Sequence, residues 1–255
     1  MKKIFALLVL AVALLSSCTN KKSNKFVLGL DDSFPPLGFR DSENKIVGYD
    51  IDLADEVCKR MGVQLVCQPI DWAAKEMELN TGKIDCIWNG FTMTDERVEA
   101  MSFTRPYLDN AQVVVVRSSS DIKTLADLKG KKVGVQAESS AVDAMNDSPD
   151  FTNSLKEVIE FKENITALND LEIGQIDAVV MDQVVANYTI KTSGKPLAIL
   201  NESLANEEYG IAFRKTQPEL RDKVQGILDE MEADGTVAKI SEKWFGTNLS
   251  VIGRK

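Results

Sequence analysis

The sequence predicts an α/β fold built from two similar halves, each with a mixed, mainly parallel sheet flanked by helices. Short apolar strands and amphipathic helices alternate over residues 26–88, and the alternation starts again at residue 111 and runs to residue 181. Such alternation is typical of parallel sheets covered by helices. The halves also share a local pattern, because residues 82–85 and 174–177 each close a helix and open an apolar strand.

The first half contains three predicted strands, at residues 26–30, 63–67 and 84–88. Between the first two, the spacing of apolar residues predicts a helix over residues 51–61, with Asp50 as its N-cap and Gly62 ending it. A second helix is predicted to begin after the N-cap Asp71 and to run to Leu79.

The second half contains four predicted strands, at residues 111–116, 132–135, 158–161 and 177–181. One helix is predicted to begin near Ser139 or Ser140, and another covers residues 164–173. The C-terminal segment is predicted to be helical, with Pro218 near the start of one helix and Gly235 between two helices.

The first residues have the pattern of an export signal, with Lys2 and Lys3 followed by twelve apolar residues at 4–15. Twelve residues are too few to span a bilayer core of about 30 Å. The stretch LSSC that ends at Cys18 resembles the bacterial lipobox, which implies cleavage before Cys18 and its lipidation. Residues 1–17 are therefore predicted to be a signal peptide and residues 18–25 a lipid-anchored tether. An ordinary signal peptide that happens to hold a cysteine is the alternative.

Composition excludes several classes of function. The net charge is -9 and no basic block occurs, which argues against a nucleic-acid partner. The chain has no histidine, which removes the commonest general base and most zinc sites, and we predict no metal and no cofactor. For the three cysteines beyond Cys18, two interpretations fit the sequence. One is a disulfide between Cys58 and Cys67, and the other is that Cys58, Cys67 and Cys86 are all buried thiols.

Ligands of open α/β sheets bind beyond the carboxyl ends of the strands, and polar residues follow those ends in both halves. There Arg97 is suited to fork a carboxylate, with Thr92 and the backbone N–H groups near Gly90 and Ser139 as further donors. Asp182 is placed to accept from an ammonium group. A free amino acid presents both of these charged ends.

Two aromatic residues, Phe34 and Trp72, are suited to enclose the side chain of such a ligand. Each candidate also has a structural interpretation. Arg97 is equally suited to pair with Glu96 or Glu99 on the surface, and Asp182 to cap the helix that follows it. Turn packing for Phe34 and core packing for Trp72 are likewise compatible with the sequence.

Several blocks together resemble the amino-acid-binding members of the bacterial extracellular solute-binding family 3, over nearly the whole chain from Phe26 to Gly246. The blocks are GYDIDLADEVCKRMGV from Gly48, NGFTMTDERVEAMSFTRPY from Asn89, LADLKGKKVGVQ from Leu125 and DGTVAKISEKWFG from Asp234.

The resemblance implies a two-lobed fold of the type II periplasmic-binding-protein kind, with two hinge strands and a ligand held between the lobes. The expected boundaries are residues 26–107 and 210–255 for lobe 1, 113–205 for lobe 2, and 108–112 with 206–209 for the hinge. It also implies a polar contact from Asp31, either to the ligand side chain or to its ammonium, and positions that sense the ligand side chain at Asn89, Gln136 and Ser140.

One position departs from the family pattern. Family members usually carry glycine where Glu138 stands. Glu138 points to solvent, or faces the cleft, where it would favour a cationic side chain, or changes the local turn.

The resemblance further implies an extracytoplasmic, monomeric binding protein for a polar or basic amino acid, which hands its ligand to the membrane permease of an ABC importer. Glutamine-like and arginine-like ligands rank nearly equal, with cystine behind them. Two alternatives remain open. One is an enzyme similar to cyclohexadienyl dehydratases, with Glu138 or Asp31 as proton donor, and the other is a surface antigen lipoprotein.

Overall fold

The computed structural model describes residues 24–254. Its main sheet has nine strands, and a separate three-stranded sheet lies near the N-terminal end of the described chain. The strands are β1 Lys25–Leu30, β2 Ser33–Phe34, β3 Gly38–Arg40, β4 Ile46–Val47, β5 Gln64–Pro69, β6 Cys86–Thr92, β7 Met101–Phe103, β8 Leu108–Arg117, β9 Lys132–Gln136, β10 Glu157–Phe161, β11 Ala178–Asp182 and β12 Leu197–Arg214.

Helices cover both faces of the main sheet. They are α1 Tyr49–Met61, α2 Lys75–Asn80, α3 Asp95–Ala100, α4 Ser140–Asn146, α5 Pro149–Thr152, α6 Asn164–Glu172, α7 Gln183–Ser193, α8 Pro218–Ala233 and α9 Thr236–Phe245. The predicted alternation of strands and helices is therefore confirmed in both halves.

The strand order in the main sheet is β10-β9-β11-β8-β12-β6-β1-β5, with β7 paired to β12. In the first lobe, β1 runs parallel to β5 and to β6. In the second lobe, β9 runs parallel to β10 and to β11. Each lobe thus has its own parallel core, as the sequence predicted, and the carboxyl ends of these strands lead into the loops that form the site.

Two long strands connect the lobes. β8 pairs antiparallel with β11 of the second lobe and with β12, and β12 continues to pair antiparallel with β6 of the first lobe. The pairing of β8 with β12 shifts register between Ile199 and Ser203 and again between Ser203 and Ala205. The two strands are antiparallel neighbours belonging to both lobes, which is the geometry of a double hinge.

Helix α1 shows where sequence reasoning succeeded and where it failed. Its buried face includes Ile51, Ala54 and Val57, as the apolar spacing predicted, and Gly62 ends it in the left-handed conformation. Asp50 does not cap it, however. The helix begins after Gly48, and Asp50 lies inside the first turn as a buried side chain. Its carboxylate accepts instead from the Gly90 backbone N–H and from the Tyr107 hydroxyl.

Asp71 accepts from the backbone N–H of Ala73 at 3.1 Å, but it caps a short 3-10 turn, Trp72–Ala74, and α2 begins only after that turn. Pro218 begins α8, and Gly235 separates α8 from α9, both as predicted.

The signal peptide, Cys18 and most of the tether lie outside the described residues, and Lys25, placed in the tether by prediction, is the first residue of β1. Cys58, Cys67 and Cys86 are free thiols. Burial raises the pKa of Cys58 to about 12 and that of Cys67 to about 11. No helix within residues 24–254 has the length and apolarity needed to cross a membrane.

Candidate ligand-binding site

All eleven residues that the sequence singled out for ligand contact line one narrow cavity between the two lobes. They come from loops and strand ends of both lobes: Asp31, Phe34, Trp72, Asn89, Gly90, Thr92, Arg97, Gln136, Ser139, Ser140 and Asp182. Arg97 is the one basic residue among them, and Asp31 and Asp182 are the acidic ones. Among the described residues, no group of three or more carboxylates or thiols is arranged to hold a metal ion.

Arg97 is a buried residue, with 7% of its surface exposed, and the alternative of a solvated surface arginine is therefore wrong. It lies in the first turn of α3, where the Thr94 side chain caps the helix by accepting from the Arg97 backbone N–H. The guanidinium lies over the Phe91 ring at 4.5 Å and donates to the Thr92 carbonyl at 3.2 Å. These contacts fix the orientation of the cation at one end of the cavity.

Asp182 follows β11 and occupies the N-cap position of α7, yet its side chain makes no capping bond. Its Oδ1 accepts instead from Asn110 Nδ2 at 2.8 Å, Gln112 Nε2 at 3.1 Å and Tyr209 Oη at 2.6 Å. Burial, and then the nearby charge of Glu207, raise the pKa of Asp182 to about 7. The carboxylate is held by both hinge strands and is not used as a cap.

Asp31 forms a bond across the cleft. Its Oδ2 accepts from Gln136 Nε2 at 2.8 Å, and its Oδ1 accepts from the Ser33 backbone N–H. Asn89 Oδ1 accepts from the Asp31 backbone N–H at 2.9 Å, and Gln136 Oε1 accepts from Asn164 Nδ2. Burial raises the pKa of Asp31. Asp31 and two of the three predicted side-chain-sensing residues, Asn89 and Gln136, thus belong to one hydrogen-bond network that both lobes supply.

The aromatic residues form walls of the cavity. Trp72 meets Phe91 edge-on, with ring centroids 5.7 Å apart, and Phe91 carries Arg97 on its face. Phe34 is 95% buried and also lines the cavity. Both Trp72 and Phe34 are therefore packed against neighbours and still face the cavity, so the core-packing and cavity-wall interpretations hold together.

Ser140 and Thr92 meet across the cleft, where Ser140 Oγ donates to Thr92 Oγ1 at 3.0 Å. Ser139 is the residue before α4, and its hydroxyl donates to the Gln136 carbonyl at 2.7 Å. The helix begins at Ser140, as predicted.

Gly90 lines the cavity as expected, but its backbone N–H does not face a ligand as a free donor. Its N–H donates to Asp50 Oδ2 at 2.8 Å and to Tyr107 Oη at 3.1 Å, so the donor expected for a ligand carboxylate is already engaged. Its φ is 56°, and a Cβ there would lie 2.5 Å from Leu37 and 3.0 Å from Phe34. Glycine is required because any side chain would displace the cavity wall.

The structure shows how Glu138 fits at a position where family members usually carry glycine. Its side chain is exposed, which confirms the interpretation that it points to solvent. Its φ is 56°, in the left-handed region where glycine fits without strain. Its carbonyl accepts from Lys75 Nζ at 2.8 Å and from Arg97 Nη2 at 3.5 Å, so the turn joins the lobes through its backbone.

Sequence reasoning missed Lys75 and the residues that hold Asp182. Lys75 is 3% exposed, lies 5.3 Å from the Trp72 ring centroid, and has its pKa lowered to about 8 by burial and by the charge of Arg97. Asn110 and Gln112 lie on β8, which the sequence identified only as an apolar strand. No sequence signal distinguished these polar residues from ordinary surface residues.

The chain belongs to the bacterial extracellular solute-binding proteins, family 3, whose family description matches residues 26–247. It is 34% identical to ABC transporter arginine-binding protein 1 of Escherichia coli (strain K12), over 93% of this chain and 98% of that protein. It is 30% identical to the L-cystine-binding protein TcyJ of the same organism, over 90% of this chain and 86% of that one.

A solved structure of an ABC uptake transporter substrate-binding protein from Streptococcus pneumoniae with bound histidine has a TM-score of 0.87 and 36% identity to the chain. The match covers 89% of this chain and 95% of that one. The similarity extends over both lobes, and it confirms the expected type II periplasmic-binding-protein fold.

We predict that Asp50→Asn flattens the dependence of stability on pH. Burial raises the pKa of Asp50 to about 7, so its contribution to stability is fully present below the ordinary carboxyl pKa and is lost as pH rises through about 7. Between pH 5 and pH 8 the wild type should lose about 2–3 kcal/mol more than the variant, measured by chemical denaturation. Asp55→Asn, at an exposed position of the same helix, is the control. Identical slopes for wild type and Asp50→Asn would contradict the assignment.

Proposed function

We propose that the protein is the extracytoplasmic substrate-binding component of an ABC importer, that it captures a free polar or basic L-amino acid between two closing lobes, and that it performs no catalysis. The observation that carries the proposal is the pairing of a buried cation, Arg97, with a buried carboxylate, Asp182, in one cavity between the lobes. Such a cavity matches the two charged ends of a zwitterion.

The main-chain groups of the ligand are assigned as follows. Its carboxylate binds Arg97, with the Thr92 hydroxyl and the backbone of Ser139 beside it. Ser140, which the resemblance assigned to sensing the ligand side chain, contacts Thr92 and therefore lies near this carboxylate as well. The ammonium of the ligand binds Asp182, whose three side-chain donors all contact Oδ1 and leave Oδ2 without a side-chain donor from the described chain. Binding both ends in a buried cavity selects for free amino acids over peptides, whose termini are farther apart.

The ligand side chain is assigned to the opposite wall, where Asp31, Asn89 and Gln136 supply polar contacts between Phe34 and Trp72. Arg97 and Asp182 are assigned to the main-chain groups of the ligand. Asp31 is then the acidic residue of the cavity that still has no ligand cation opposite it, which favours a basic or hydrogen-bond-donating side chain. Relatives whose names specify arginine and cystine, and a neighbour with bound histidine, support a polar or basic ligand. Arginine-like and glutamine-like side chains both satisfy these contacts.

Capture by closure is supported by the bonds that cross the cleft: Gln136 to Asp31, Ser140 to Thr92, and Lys75 to the Glu138 carbonyl. A ligand that bridges the same surfaces would favour this closed arrangement over an open one. We propose the lobe boundaries given by the sequence, with hinges at residues 108–112 and 206–209. The closed form would then be recognised by a membrane permease, the protein acting as a monomer.

We also propose that Cys18 carries a lipid that anchors the mature protein at the outer face of a membrane, after removal of residues 1–17. The lipobox-like LSSC and the polar stretch after it support this assignment.

Arg97→Ala should weaken binding by at least about 2 kcal/mol, roughly 30-fold in dissociation constant, because a charge-assisted contact to the ligand carboxylate is lost. The ligand is first chosen by a thermal-shift screen of the twenty amino acids, and affinity is then measured by calorimetry. Arg105→Ala, which removes an exposed arginine of the first lobe, should leave affinity unchanged. Unchanged affinity in Arg97→Ala would remove Arg97 from the site.

Asp182→Asn should weaken the chosen amino acid much more than the same compound without its amino group, because only the former presents an ammonium ion to the carboxylate. Competition calorimetry with the two compounds measures both losses on one protein. Equal losses would mean that Asp182 acts only through the structure of the hinge.

Cys18→Ser should release the protein from the membrane fraction of the expressing cells, because the lipidated thiol is absent. The wild type should fractionate with membranes and show the mass of a diacylglyceryl-modified N-terminus. Cys67→Ser is the control and should remain in the membrane fraction. A wild-type protein that is cleaved and soluble, with no added lipid mass, would refute the anchor.

A further inference from the structure

Glu207 is a second acidic residue beside Asp182, and it lines the open cleft next to the ligand cavity rather than the cavity itself. It lies on β12 within the proposed hinge, half-buried. Its Oε2 accepts three hydrogen bonds, from Asn110 Nδ2 at 2.8 Å, from Gln112 Nε2 at 2.9 Å and from Thr92 Oγ1 at 3.0 Å. These donors come from β8 and β6, so Glu207 is fixed by the hinge strand beside it and by the first lobe.

The same two amides donate to Asp182. Asn110 Nδ2 lies 2.8 Å from Asp182 Oδ1, and Gln112 Nε2 lies 3.1 Å from it. Asp182 Oδ1 and Glu207 Oε2 therefore both accept from the same two side-chain amides, Asn110 Nδ2 and Gln112 Nε2. Two carboxylates held this close repel each other, and the repulsion is strong because Asp182 is almost completely buried.

The neighbouring charged and titratable groups do not neutralise the pair. Within the described chain, no lysine or arginine lies within 4.0 Å of either carboxylate, whereas Tyr209 donates to Asp182 from β12. The surrounding charges belong to α3, to α4 and the residue after it, to the hinge strands and to the C-terminal segment: Asp95, Glu96, Arg97, Asp143, Asp147, Asp109, Glu208 and Arg254. Arg97 forms an ion pair with Asp143, with Nη2 and Oδ2 3.7 Å apart, and Arg254 forms ion pairs with both Asp109 and Glu208.

We infer that Asp182, with Glu207 beside it, holds a proton when the cleft has no ligand and releases it to solvent when the ligand ammonium arrives. The inference rests on the proposed function, since it concerns the same ammonium position. In the exchange, the O–H bond of the Asp182 carboxyl group breaks, its proton passes to water or buffer, and the ligand ammonium takes the place of that proton beside the Asp182 carboxylate. Glu207 is a positioning residue, because it acts through Asp182.

Competition between proton and ligand gives the affinity a defined dependence on pH. The pKa of Asp182, raised to about 7 by burial and by Glu207, places the exchange near neutrality. Below that pH the affinity should fall by up to about tenfold per pH unit, and above it the affinity should level off. Removal of the Glu207 charge lowers the pKa of Asp182, so the loss of ligand affinity should occur at more acid pH.

The test is calorimetry of the amino acid found by the thermal-shift screen, at pH 6 and pH 8.5, each in two buffers of different ionisation enthalpy. The wild type should release close to one proton per ligand at pH 6 and almost none at pH 8.5. Glu207→Gln should release fewer protons than the wild type at pH 6, and its affinity should fall less than that of the wild type between pH 8.5 and pH 6. Glu208→Gln, which removes the adjacent exposed charge on the same strand, should behave as the wild type.

A wild type that binds with no proton release at pH 6 would overturn the inference, whatever the variants do. An unchanged pH profile in Glu207→Gln would also overturn it, because proton release would then arise from another group such as Asp31. Both results leave the proposed function intact. Absence of amino-acid binding by the wild type at either pH would instead refute the proposed function.

Discussion

The site depends on keeping two opposite charges apart in one buried cavity. Arg97 and Asp182 both lie below 10% exposure, and each is satisfied by groups that hold it in place. Arg97 is oriented by the Phe91 ring and the Thr92 carbonyl, and Asp182 by amides of β8 and a tyrosine of β12. Because an unpaired buried charge is costly, a ligand that supplies the opposite charge to each gains from both contacts at once.

The hinge strands do more than connect the lobes. β8 and β12 supply Asn110, Gln112, Glu207 and Tyr209, which form the surroundings of Asp182. A ligand ammonium bound at Asp182, as proposed, would therefore act directly on side chains of the strands that join the lobes. Under the proposed function, these hydrogen bonds would couple occupancy of the cavity to the hinge without a separate transmitting element.

Much of the fold followed from the sequence, because apolar periodicity and glycine positions determine elements such as α1 and the helix end at Gly62. The residues lining the cavity were predictable because loops after parallel strands converge, and because four family-like blocks were present. Asp50, Lys75 and Glu207 were not predictable. Each is a charged residue made important by partners 40 or more positions away, such as Gly90 for Asp50 and the Glu138 carbonyl for Lys75. Local sequence carries no record of such contacts.

A crystal structure of the protein with its best-binding amino acid tests the central claim most directly. The account predicts the ligand in the cavity between the lobes, with its carboxylate on Arg97 and its ammonium on Asp182 Oδ2. A ligand bound in the reverse orientation, or bound outside this cavity, would contradict it.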